Sequence, residues 1–167
     1  EREFAVAWAT RERFTDPEAL GDWAELMGPV EFDVYDSDFP VCYSWGRAVD
    51  MVRQRQRPYL GEGMFRYFTD AGDFERKQEV CARALEMADL FETPDLAHET
   101  RLVSSYVELA RCIWQVSEQL ATADLETLEN QQILRQAVAD LEKAGEENTG
   151  AIRIWRGALG PEPWHYR

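Results

Sequence analysis

Apolar positions along the chain divide it into a regular C-terminal part and a broken N-terminal part. From Asp73, which reads as an N-cap, Phe74, Cys81, Leu85, Ala88 and Phe91 recur on one helical face. Thr93-Pro94 then restarts the chain, with Thr93 as N-cap and Pro94 in the first helical position. Leu102, Tyr106, Leu109, Ile113, Val116 and Leu120 follow at alternating intervals of four and three, the strongest pattern in the sequence, and predict a long helix. Val103, Val107, Ala110 and Trp114 widen its stripe, as suits a helix packed on two sides. Asp124 opens a further helix carrying Leu125, Leu128, Leu134, Val138 and Leu141, with Gly145 as its C-cap. A short helix over Asn148 to Gly157, with Ile152, Ile154 and Trp155, precedes an irregular tail rich in Pro and aromatics. Short connections around Thr93 and Thr122 predict antiparallel neighbours, a hairpin or a layer of three rods.

The N-terminal third is interrupted more often. Phe4, Val6, Trp8 and Phe14 suggest one helix. Asp16-Pro17 opens another with Leu20, Trp23, Leu26 and Met27, and Gly28-Pro29 reads as its end. Val30 to Tyr35 alternates apolar and polar residues, the pattern of one short strand or an extended loop. Beyond Asp38-Phe39-Pro40, Val41, Trp45, Ala48, Val49 and Val52 describe another helix ending at Arg53, Arg55 and Arg57. Pro58, Gly61 and Gly63 then mark a loop before Met64 to Phe68. The expectation is a mainly all-α chain, an antiparallel helical bundle of about five to seven helices with an irregular segment near residues 29–40. It is read as a single domain over residues 1–167, comprising a broken helical part (1–70), a hairpin or bundle part (73–157) and an aromatic tail (158–167).

Composition agrees with a packed fold: 45% hydrophobic and 30% charged residues is ordinary globular usage. The apolar runs are a few residues long, whereas a bilayer span needs about 20, so no membrane segment is expected. Glu1-Arg2-Glu3 has neither a secretory signal nor an initiator Met, which suggests a processed protein or part of a longer one. Cys42, Cys81 and Cys112 are odd in number and widely spaced, so they read as reduced core thiols in a cytoplasmic protein. A net charge of -14 argues against nucleic acid as a ligand. Lys77 and Lys143 are the only lysines among the cations, a skew that fits a high-salt habitat or codon bias.

Candidate chemistry is sparse. Asp33, Asp36 and Asp38 form an acidic cluster, but a calcium loop starting at Asp33 needs glycine sixth and glutamate twelfth, where Asp38 and Ser44 stand. Turn formation and capping account for these aspartates, and no metal is predicted. His98-Glu99-Thr100-Arg101-Leu102 begins like a zinc-protease motif and lacks its second histidine. Di-iron bundles need paired Glu-x-x-His motifs that this chain does not supply, there is no G-x-S-x-G elbow, and Gly61-Glu62-Gly63 lacks the further glycine of a nucleotide loop. No catalytic residue and no cofactor are therefore predicted.

Aromatics beside the aspartates leave one ligand-binding candidate: Asp33, Asp36, Asp38, Tyr43, Trp45 and Arg47, equipped to stack and hydrogen-bond a sugar or another flat polar molecule. The leading expectation is a non-catalytic helical accessory or interaction domain, partnered by another protein or by the rest of a longer, carbohydrate-processing chain. The alternatives are a small helical enzyme or small-molecule-binding protein with a pocket around residues 33–47, and an acidic inhibitor or nucleic-acid mimic.

Overall fold

In a computed structural model describing residues 1–37, 49–91 and 93–158, the regular C-terminal spacing becomes three long helices. The elements are α1 (Arg2–Arg11), α2 (Pro17–Asp36), α3 (Asp73–Ala88), α4 (Asp95–Thr122) and α5 (Leu128–Ala158). Residues 49–53 are also helical, Gly63–Phe65 forms a 3-10 turn, and no strand occurs among the described residues. The fold is an all-α helical bundle.

The centre of the bundle is α4. Its predicted stripe is buried from Leu102 through Val116, and the widened stripe has its physical cause: α2, α3 and α5 all pack on this one helix. Adjacent serines divide the flanks. Ser104 donates its hydroxyl to Gln78 Oε1 of α3 at 2.8 Å, and its carbonyl accepts from Gln78 Nε2 at 2.9 Å. Ser105 Oγ accepts from Asn148 Nδ2 of α5 at 2.9 Å. Asp89, after the end of α3, accepts from Arg101, so the α3–α4 contacts run in opposite chain directions, the antiparallel arrangement expected of a short connection. One end of the core is aromatic: Phe68 stacks on Phe74 with centroids 4.2 Å apart, and Phe65 and Trp114 flank that pair.

Three boundaries differ from the sequence reading. First, α2 does not stop at Gly28-Pro29, and Val30 to Tyr35 is neither strand nor loop but the last turns of the helix. Pro29 has no N–H for the bond to the Glu25 carbonyl, at a cost of about 3 kcal/mol. Trp23, Met27, Val30 and Val34 nevertheless stay in helical register and are all buried. Each such side chain is worth roughly 1.5–3 kcal/mol when removed from water, so burying Val30 and Val34 outweighs the missing bond.

Second, α5 does not end at Gly145 and begin again at Asn148. One helix runs through both, and Gly145 adopts no positive φ. Its inward seam keeps Leu141, Ile152 and Trp155 of the expected positions and adds Ala137, Ala144 and Asn148, whereas Leu128, Val138 and Ile154 are exposed. Asp124 closes the preceding turn by accepting from the Glu126 N–H, and Thr127 accepts from the Asn130 N–H near the helix start.

Third, the caps shift by one residue. Gly72 and Pro94 precede α3 and α4, and Asp73 already belongs to its helix. Burial raises the Asp73 carboxyl, but the side-chain and backbone bonds from Thr69 together with Arg76 bring it down to about 2. The first helix ends before Phe14, whose ring bridges Trp8 and Phe91. Gly21 permits the close approach of α1 to α2, since a Cβ there would lie 2.4 Å from Val6 Cγ2.

Candidate functional site

Asp33 and Asp36 lie on the final turns of α2, where each ties the helix to a different element. Asp33 forms an ion pair with Lys77 of α3. Asp36 accepts from the Tyr67 hydroxyl, and Arg66 donates to its backbone carbonyl at 3.0 Å. Asp38, Tyr43, Trp45 and Arg47 lie outside the described residues.

One turn earlier the same helix carries groups that sequence reasoning passed over. Glu31 Oε1 is buried without a hydrogen-bond partner. Burial, with a smaller contribution from the Glu99 charge, pushes the Glu31 carboxyl up to about 7. Tyr35 donates to Glu99 Oε1 at 3.2 Å. Burial also raises the Glu99 carboxyl, against the lowering effect of that bond. The Tyr35 phenol is raised by burial and then by Glu99. Behind Glu31, burial and the nearby carboxylate push the Cys81 thiol up to about 12, so it is not a nucleophile at neutral pH. The signal for this cluster was available: once α2 is continued past Pro29, Glu31 falls four residues after Met27, beside the buried stripe.

Among the described residues no three His, Cys, Asp or Glu side chains converge to hold a metal ion.

A larger concavity lies elsewhere. Glu99, bonded to Tyr35, faces α2, and Arg101 and Glu108 point half a turn away, to the opposite side of α4. There α3 and α5 both lean on α4 without extensive packing against each other, leaving an open groove of about 780 Å³. Cys81, Leu85, Ala151 and Ile154 supply its apolar surface. Its polar groups are occupied: Gln78 with Ser104, Arg101 with Asp89 at 2.7 Å, and Glu108 with Arg111. His98, at the α4 N-terminal end of the groove, keeps a buried Nδ1 without a partner. Such a trough accepts an apolar ridge with polar flanks, the shape of an amphipathic helix.

Fold and geometry together define a helical bundle with one open face, and no helix among the described residues is long and apolar enough to cross a membrane. No protein family, curated protein or solved structure matches the chain.

Proposed function

We propose that the chain is a non-catalytic helical interaction domain whose partner, another protein or the remainder of a longer polypeptide, lays an amphipathic helix into the groove between α3, α4 and α5. The observation that carries this reading is the groove itself: an apolar floor, flanks whose polar groups except His98 Nδ1 are mostly paired, and two walls with no extensive packing between them. A fourth rod placed there would bury Leu85 and Ile154, and a polar side chain on it could meet His98 Nδ1, as helix-in-groove recognition requires. Enzymatic chemistry has less support, because the buried thiols are raised, Cys81 to about 12 and Cys112 to about 11, away from reactivity. The alternative of a ligand pocket around residues 33–47 turns on Tyr43, Trp45 and Arg47, which lie outside the described residues.

Photo-crosslinking in cells expressing the native gene tests the proposal. A photoreactive residue at Ala82 or Ile154, on the groove walls, is expected to give one discrete adduct that Ala151→Arg abolishes while helicity by circular dichroism is retained. The same probe at the exposed Glu142 is expected to give none. Equal labelling at all three positions, or no adduct at any, would remove the proposal.

A further inference from the structure

Among the described residues α1 packs chiefly on α2, and the small α1–α2 cluster meets the rest of the bundle through Phe91 and Leu96 at the α3–α4 connection. The attachment of α2 runs along Trp23, Met27, Val30 and Val34 and includes two direct bonds to α4, from Trp23 Nε1 to Thr100 Oγ1 and from the Tyr35 hydroxyl to Glu99 Oε1, each at 3.2 Å. Glu31 sits within that attachment. Near it are Glu99 of α4, Cys81 of α3 and Tyr35 of its own helix, with Tyr106 beyond Tyr35, and Lys77, paired with Asp33, beyond Cys81. Lys77 is the one cation in this set, and it is already held by Asp33 and the Phe68 ring. The Tyr35 hydroxyl is given to Glu99, and Arg66 and Tyr67 of the following segment are engaged by Asp36. Among the described residues Glu31 Oε1 is buried with no hydrogen-bond partner, and Glu31 forms no ion pair.

We propose that Glu31 is a proton-operated latch: carrying a proton it seals α2 against α3 and α4, and on ionising it loosens the α1–α2 pair from the three-helix layer. The physical cause is the cost of a buried carboxylate without a counter-charge beside a second carboxylate. The carboxyl moves from an ordinary 4.5 to about 7 in the folded chain. A raised folded value means that the stabilisation is full below pH 4.5 and is lost as pH rises through about 7. The latch therefore works across the neutral range. It shares Cys81 with the groove wall, but its test reads α2 protection and the Glu31 titration, not the interaction proposed there.

Native-state hydrogen exchange of the full chain between pH 5 and pH 8, corrected for intrinsic rates, tests the latch. The opening equilibrium of α2 amides is expected to rise on the order of 50-fold over that range, with a smaller change at the C-terminal end of α4. Glu31→Gln keeps the shape and removes the ionisation, so its α2 protection is expected to stay nearly flat and to exceed that of the unaltered chain at pH 8. The same pH slope in both proteins would overturn the proposal. A carbon-13 titration of the Glu31 carboxyl decides the matter without any variant: a midpoint near 7 supports the latch, and one near the ordinary 4.5 refutes it.

Discussion

Two helices of nearly equal length behave differently: α4 has 28 residues and α5 has 31, yet α4 buries side chains on almost every turn while α5 buries only Ala137, Ala144 and Asn148. The difference lies in neighbours. Three helices pack on α4, whereas among the described residues α5 packs extensively on α4 only. Leucines, isoleucines and valines on α5 that would form a core stripe in a more crowded position, such as Leu128, Ile133 and Val138, stay outside. Small seam residues let the α5 backbone approach α4 closely but remove little apolar area from water, so α5 is held by shape and by one buried polar bond more than by area. Apolar content thus says how much a helix could bury, and the number of helices around it sets how much it does.

Unfolding experiments on single substitutions sharpen this contrast. The largest effect is expected at Leu109, which is 1% exposed in the centre of α4. Leu109→Ala should cost about 2–5 kcal/mol in urea-unfolding free energy, and a loss under about 1 kcal/mol would mean that α4 is not the centre of the core. Asn148→Ala removes the bond to Ser105 from a residue that is 3% exposed, and should cost about 1–1.5 kcal/mol by the same measurement. The smallest effect belongs to Leu128, 77% exposed on α5, where alanine should change stability by no more than about 0.5 kcal/mol. A large loss there would show that this face of α5 is covered in solution and would break the comparison.

The same contrast separates the legible parts of the chain from the rest. The run from Leu102 to Val116 could be read directly, because alternating spacings of four and three fit a helix and no strand, and its doubled width announced more than one neighbour. At Gly28-Pro29 the local signal pointed the wrong way. The alternation from Val30 to Tyr35 placed Glu31 and Asp33 together on a polar strand face, whereas the helix turns Glu31 inward and directs Asp33 to Lys77. Their partners are 44 residues away for Asp33 and 31 for Asp36, at distances over which no spacing rule operates. The groove was equally hidden, since its two walls are separated by the whole of α4 and belong to helices with no extensive packing between them.

By itself the sequence determined that the chain is helical and that its longest regular stripe is packed on more than one side, because period and breadth are properties of residues a few positions apart. Tertiary structure alone decided that α2 passes through Pro29, that α5 seals along Ala137, Leu141, Ala144 and Asn148, and that Glu31 is buried beside Glu99 without a hydrogen-bond partner. Each of these depends on which distant segments exclude water from a given side chain, and that exclusion is strong enough to outweigh a lost backbone bond or to move a carboxyl to neutral pH.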